Sequence, residues 1–580
     1  MWQQTHQTDI CVIGGGMAGL CAAVAAARHG ASVILMHERP VLGGNASSEV
    51  RMHICGADRG ASIPNMRETG ILEELRLANL ARNPQMNYSI WDTLLYELAA
   101  FTPGLTPLLN CTCLDAEMGG KRIDSVTGWQ LTTETFHTVK AKIFLDCSGD
   151  GILALLTGAE FRMGREGRNE FGESIAPEQA DSRTMGMTCV FAARQYDASR
   201  PFAPPAWAED YPSDDDLPYG AGGHDEFGMG YWWIELGGED HGIRDTERLR
   251  DELLKIVFGV WDHIKNHGDH GAENWALDWI EFLPGKRESR RFIGDHILTQ
   301  NDIEAAGRFP DIVAYGGWSM DDHHPAGIRA VKMGHPATIF HPAPSPYGIP
   351  YRCLYSRNIG NLLFAGRNAS CTHAAMSSTR VMGACGAMGQ AAGTAAALAV
   401  THGGLPRDVN DRIDDLQQLL LRDDCYLPGV PQRFEPLTMT AELLASRGDP
   451  TPLRDGVNRP VGDNIHAWPC QVGDRVSYTF PKASHVSEAT LIVDSALDKN
   501  IFFSRYADYG QLTAPPPVLP KTFRLEGLQN DEWHTLRQIT DNHQRLVRLP
   551  VNETVEAIRF TLDGTWGGEA SRLYAFYIDE

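Results

Sequence analysis

Short fully apolar runs and runs of small residues alternate over the first 160 or so positions of the chain, and again after position 350. Ile10 to Ile13 is a run suited to a strand buried on both faces. A glycine turn and a small-residue helix from about Ala18 to His29 follow, then a second strand, Val33 to Met36, ending at Glu38. Trp91 to Phe101 reads as a helix packed on this unit. Between about 161 and 350 glycine, aromatic and charged residues rise. There Leu249, Leu253, Ile256, Val257, Val260, Trp261 and Ile264 give Arg248 to Lys265 the spacing of an amphipathic helix. Gln179 to Gly230 holds the stretch PFAPPAWAEDYPSDDDLP, an expected exposed loop or lid. Asn361 to Ala399 then reads as a buried strand feeding a helix of small residues, and Asp411 to Arg422 as part of a helical linker. From about 440 the pattern switches to short strands, Arg475 to Phe480, Ala489 to Val493, Leu546 to Leu549, Ala557 to Leu562 and Leu573 to Ile578, with no helix of length between them.

Composition narrows the classes. The chain has 580 residues, 43% of them hydrophobic, enough for a large core over three or four domains. A formal charge of −23 argues against nucleic acid, whose phosphates demand a basic surface. No apolar run reaches the ~18 residues of a membrane span, and MWQQTHQTD lacks a basic region followed by a hydrophobic one. The 12 cysteines include no CxxC pair, so a redox dithiol and an iron–sulfur module lack their usual spacing. A reduced cytoplasm is the expected compartment.

The turn after the first strand carries the chemistry. Gly14, Gly16 and Gly19 satisfy G-x-G-x-x-G: a tight turn, a close backbone approach to a pyrophosphate, and close packing of helix on strand. Met17 and Ala18 open a helix whose positive end faces the phosphates. Glu38 lies 24 positions after Gly14, near the spacing of a ribose-binding acid, and a carboxylate there repels a 2′-phosphate. There is one such unit, so no separate NAD domain is expected.

Glu38-Arg39 followed by Gly43-Gly44 resembles the E-[KR]-x-x-x-G-G pattern of the large flavoprotein superfamily that includes glutathione reductase and fumarate reductase. Leu145 to Gly151 (LDCSGDG) resembles its A-T-G-D segment, and Leu362 to Gly366 (LLFAG) its second flavin motif. Gly43 to Ala57, Tyr231 to Gly238 and Gly348 to Arg367 are similar to a bacterial FAD-dependent oxidoreductase family often found beside carbohydrate-degrading enzymes. The resemblance covers about the first 400 residues and implies FAD, with Gly14, Gly16, Met17, Ala18, Gly19, Glu38, Arg39, Gly43, Gly44, Ser47, Ser48, Arg51, Gly149, Gly366, Arg367 and Gly383 around it. The implied fold is α/β: a Rossmann-like FAD-binding domain (1–160 and, with a helical linker, 351–435), an inserted α+β substrate cap (161–350), and an all-β, jelly-roll-like sandwich (436–580). That sandwich resembles galactose-binding-like modules.

Substrate is then expected between flavin and cap. His373, ahead of the glycine helix, is the first candidate for a base on a carbinol, with Arg51 and His53 as further catalytic candidates. Arg51, His53 and Cys55 alternate along a possible strand. Tyr231, Trp233 and Glu235 share one strand face by period two, an aromatic platform with an acid for a sugar, or core. Arg287, Arg290 and Arg291 read as a solvated charge run, and His323, His324 and His335 lack the spacing of a metal site, so no metal is expected. The leading expectation is oxidation of a small hydroxylated substrate, a sugar or sugar derivative, by hydride transfer to flavin. The alternatives are reduction of an activated double bond or ketone, with Arg380 or Arg51 as clamp or proton donor, and a flavin-containing glycan-binding protein without turnover. A homo-oligomer is possible, and the electron acceptor is left open.

Overall fold

The computed structural model describes residues 1–219, 224, 227–228, 231–502 and 510–580. Part of the expected lid, residues 220–223, 225–226 and 229–230, lies outside the described residues.

The first apolar run extends to a twelve-residue strand β1 (Trp2–Ile13), and only its end, where flanking strands and helices cover it, is buried. Parallel to it on one side lies β2 (Val33–Met36), with β3 (Leu105–Leu108) beyond. On the other side lies β6 (Thr135–Asp146), in register from Trp2↔Thr135 to Ile13↔Asp146. The outer edge of β6 is shared. Its first half pairs antiparallel with β5 (Ile123–Gln130), and β5 in turn with β4 (Cys111–Met118). Its last residues pair parallel with β7 (Leu362–Phe364), which returns from more than two hundred residues away. The strand ends of β1, β6 and β7 therefore lie side by side although two come from opposite ends of the unit.

Helix α1 (Met17–Arg28) follows β1, and all of it but Arg28 is buried. It packs backbone to backbone against the small-residue helix α5 (Met382–Thr401): a Cβ added at Gly389 or Gly393 would lie 2.1 Å from the carbonyl oxygen of Ala18 or Ala22. Two residues four apart on each helix thus set the approach. Helices α2 (Ile71–Arg82) and α3 (Tyr88–Ala100) cover the same face, and a short helix α4 (His373–Thr379) precedes α5.

Residues 161–350 form small antiparallel sheets around a long helix, Thr246–Asn266, whose apolar stripe joins Phe191, Tyr211, Tyr231 and Leu236 in a separate core. Beyond residue 440 the chain is an all-β antiparallel, sandwich-like unit. Two pairs of expected strands are continuous there: Arg475–Val493 and Leu546–Thr565 are single long strands with bulges where a turn was expected. Strands Pro520–Gln529 and Glu532–Ile539, which the sequence pattern did not mark, complete the sheet. Among the described residues no helix is long and apolar enough to cross a membrane.

Candidate functional site

The glycine turn is shaped by what surrounds it. Gly14 has φ +98 and no room for a side chain beside the Cys147 backbone, while a Cβ at Gly19 would collide with the Gly14 carbonyl. Gly16 differs: its φ of −65 suits any residue, and a Cβ there would meet nothing nearer than Gly44 Cα at 3.9 Å. The space above Gly16 is open, and no side chain caps the first turn of α1. Gly15 N–H donates to Nδ1 of His37 at 2.9 Å, and His37 Nε2–H donates to the Val41 carbonyl at 3.0 Å. Burial drives His37 down to about 4, so this tether stays neutral. The sequence reading missed His37, which sits inside the spacing between glycines and acid. Glu38, just past β2, is exposed and 3.5 Å from Arg39, whose guanidinium also faces Glu49 at 3.8 Å.

Gly43 and Gly44 both have positive φ, and Gly43 N–H donates to the Gly15 carbonyl, closing the cradle's second wall. Ser47 is buried, and Ser48 N–H donates to Asp92. The segment after it is not a strand: Arg51 has φ +60, which breaks the alternation expected for Arg51, His53 and Cys55. Arg51 instead lays its guanidinium over the rings of Trp279, at 4.2 Å, and Tyr88, at 5.0 Å. His53 packs against Trp232 and Phe502, burial lowers it to about 4, and its Nδ1 makes no hydrogen bond among the described residues. Cys55 is buried with Val381 and Ala384, and burial raises its thiol to about 12.

The second limb closes on Asp150. Arg367 and Lys286 both pair with its carboxylate, at 2.6 and 2.8 Å. Burial opposes ionisation there, but the two cations hold the group well below the usual carboxylate range. Gly149, φ +76, lies against Arg367, and Gly366, φ +108, against Ala18. Gly383 has a packing reason for its missing side chain, which leaves room for the Glu68 carboxylate.

Over α4 lies the strand Met320–His323, whose alternation sends neighbouring acids to opposite faces. Asp322 meets Nε2 of His373 at 3.1 Å, and Glu288 meets its Nδ1 at 2.8 Å. His373 is the first residue of α4 rather than a loop residue. Burial alone would lower its pKa, but the Glu288 and Asp322 carboxylates raise it to about 10. The free base expected at His373 is therefore an imidazolium at neutral pH. On the other face His323 bridges Glu235, at 2.7 Å, and Asp321, at 3.2 Å, while Arg380 pairs with Asp321 at 3.0 Å and Arg287 with Glu235 at 3.3 Å.

The arginine run is not solvated. Arg291 is buried between Glu166 and Glu288, and Arg290 is buried as well. Nor do Tyr231, Trp233 and Glu235 share a strand face, because the extended segment begins only at Glu235. Tyr231 is buried, with its hydroxyl on the Pro218 carbonyl. Trp233 meets the Tyr219 ring tilted by 45° at 4.6 Å and stacks on His323 at 6.1 Å. His324 and His335 stack on each other. Asp321, Asp322 and Glu288 escaped the sequence reading because acids carry no local signal of the partner a distant helix brings.

A family model described as FAD dependent oxidoreductase matches residues 9–420. The chain belongs to that family. It is an FAD-dependent oxidoreductase, and both glycine segments and the histidine–carboxylate network lie within the matched span. No curated protein matches. Among solved structures, a family 32 carbohydrate-binding module from Streptococcus pneumoniae EndoD is 15% identical, covering 24% of this chain and 95% of its own, with a TM-score of 0.19. The family 32 module of C. perfringens NanJ is 10% identical over 24% of this chain and 93% of its own, TM-score 0.18. L-proline dehydrogenase from P. horikoshii is 17% identical over 29% of this oxidoreductase and 26% of its own chain, TM-score 0.17.

Proposed function

We propose that this oxidoreductase oxidises a small hydroxylated substrate, a sugar or sugar derivative, held between the glycine cradle and residues 161–350. In this reading the parallel unit is Rossmann-like and of the glutathione reductase and fumarate reductase superfamily, 161–350 is an inserted α+β cap, and 436–580 is jelly-roll-like. Gly14, Gly16, Met17, Ala18 and Gly19 present backbone to the pyrophosphate, and Glu38 with Arg39 takes the ribose end. Gly43, Gly44, Ser47, Ser48, Arg51, Gly149, Gly366 and Arg367 enclose the remainder. Bound FAD would supply the redox step, taking hydride at N5.

The observation that carries the acid–base part is the opposite state of two histidines. His53 is neutral with an unbonded Nδ1, suited to accept the proton of a substrate hydroxyl. His373 is an imidazolium whose two N–H groups are held by Glu288 and Asp322, suited to orient Asp322 and to keep a proton behind it. Support for a sugar comes from the half-buried ring of Trp233 beside the cluster of His323 with the Glu235 and Asp321 carboxylates. Such a pairing suits a ligand with apolar C–H faces and many hydroxyls.

A second reading is favoured by the same imidazolium: the proton that reduction of an enoate or ketone requires would pass from His373 through the Asp322 carboxylate. Anaerobic mixing with aldoses, polyols and sugar acids separates the two. Bleaching of the flavin that slows at least tenfold in His53→Gln supports oxidation. Absence of bleaching with every member, together with reoxidation of the reduced enzyme by an enoate or ketone, overturns it in favour of reduction.

A further inference from the structure

Away from the cradle, one acid and three histidines converge beside the long cap helix. His263 is fully buried on Thr246–Asn266, His270 lies just past the helix end, Asp214 opens the turn Asp214–Asp216, and His224 follows it. Nε2 of His263, His224 and His270 lie 2.9, 3.2 and 3.7 Å from one and the same Asp214 Oδ1. The three ring centroids are 4.5 to 5.0 Å apart, and the four candidate ligand atoms all fall within 4.8 Å of one another.

Two features set this cluster apart from an ordinary hydrogen-bond group. One carboxylate oxygen has two lone pairs, yet here it faces three ring nitrogens. More pointedly, His263 Nδ1 lies 2.7 Å from the Tyr211 carbonyl, which can only accept. Nδ1 is therefore the donor, and the neutral ring has a bare Nε2 aimed at a bare carboxylate oxygen. In a neutral ring lone pair then faces lone pair, and either a second proton or a metal cation must stand between them.

The distances suit an ion. Four ligands at about 2.0–2.1 Å in a tetrahedron are about 3.3 Å apart, the value that the three oxygen–nitrogen distances straddle. The Tyr211 carbonyl then plays the outer role usual for a metal-bound imidazole, fixing the tautomer and aiming the ring.

We propose that Asp214, His224, His263 and His270 bind one divalent transition ion, Zn2+ by ligand type and geometry. Four protein ligands close a tetrahedral shell, which marks the site as structural rather than catalytic. The ion ties Asp214 and His224, which flank Tyr219 in the chain, to the helix Thr246–Asn266, and Tyr219 in turn packs at a tilt on Trp233 beside His323. The expectation of no metal rested on His323, His324 and His335. It did not weigh these four residues, whose spacing follows no sequence motif.

The full-length flavoprotein, loaded with Zn2+ and desalted, should retain about one zinc per chain by mass spectrometry of the metal, and His263→Gln and Asp214→Asn about a fifth of that or less. Flavin content should be equal in all three, which shows the variants folded, and Asp214 is partly exposed, so its substitution is mild. A chelator should lower the unfolding temperature of the wild type by several degrees and leave the variants unmoved. Failure of the wild type to hold zinc after loading, or equal retention by the folded variants, overturns the proposal. A second proton on His263, not an ion, would then close the cluster.

Discussion

At the scale of single residues the glycine turn separates glycines that the fold requires from one that it does not. Gly19 has no room for a methyl group, because the Gly14 carbonyl occupies its place, whereas Gly16 faces open space with an ordinary φ. Gly16→Val should therefore leave the melting temperature of the FAD-free protein within a degree or two and weaken FAD at least tenfold. Gly19→Ala should lower both, by the ~1–3 kcal/mol of an overpacked contact or more. Flavin titration beside calorimetry of the apoprotein reads the difference, and equal behaviour of the two variants would show that the space above Gly16 is not the cofactor's. His373 offers a second residue-scale test. Its pKa rises from an ordinary 6.5 to about 10, so the ion pairs with Glu288 and Asp322 stabilise the fold fully below about 6.5 and are lost as pH climbs through about 10. The wild type should melt several degrees above His373→Gln at pH 7, and the gap should close toward pH 10. A gap independent of pH would mean that His373 is not charged in the native protein. The spacing of Gly14, Gly16 and Gly19 was readable because it is local. The charge on His373 was not, since Glu288 and Asp322 reach it from 85 and 51 positions away.

At the scale of elements, the interface of α1 with α5 controls where the first turn of α1 sits. Gly389 and Gly393 let the two backbones touch, so Gly389→Val must push α1 away at Ala18, one residue before Gly19. The expected outcome is a loss of flavin out of proportion to the loss of stability: a purified variant that is folded by circular dichroism but mostly colourless. Retention of full flavin content would show that α1 can shift without disturbing the cradle. The sequence reads as a helix of small residues here, and the structure shows that those residues admit another helix. Elements with a strong period were the legible ones: Val33–Met36 has the bounds expected, and the helix Thr246–Asn266 exceeds its expected span by two residues at its start and one at its end. The Tyr231 to Glu235 strand failed because its period-two pattern arises partly in a turn that buries Tyr231 for packing. In the C-terminal unit, long strands were split because their bulges carry the polar residues that usually end a strand.

At the scale of the molecule, the C-terminal sheet is joined to the flavin unit through buried charge. Arg67 pairs with Glu73 at 2.8 Å and donates to backbone carbonyls of Ser495, Ala496 and Lys499, and Ser495 donates to Glu73. Arg459 reaches back to carbonyls of Asn65 and Arg67 and to Thr69, and lies 4.2 Å from the Tyr426 ring. Arg545 pairs with Asp424. Each of these arginines is almost fully shielded from solvent, so separating the units would expose the Arg67–Glu73 pair and part Arg545 from Asp424. The chain should accordingly unfold in one calorimetric transition that coincides with flavin release, and residues 1–435 alone should not accumulate as a soluble yellow protein. Arg67→Met strands the Glu73 carboxylate and should cost about 3–5 kcal/mol. Acid acts through the same pair. Burial opposes ionisation of Glu73, but Arg67 brings it down to about 2, so its contribution is complete above its ordinary 4.5 and disappears as pH falls through about 2. Wild-type stability should fall over that window more steeply than that of Glu73→Gln. Two well-separated transitions, or a folded flavin-loaded 1–435 fragment, would show instead that the sandwich is an appendage on a self-sufficient oxidoreductase.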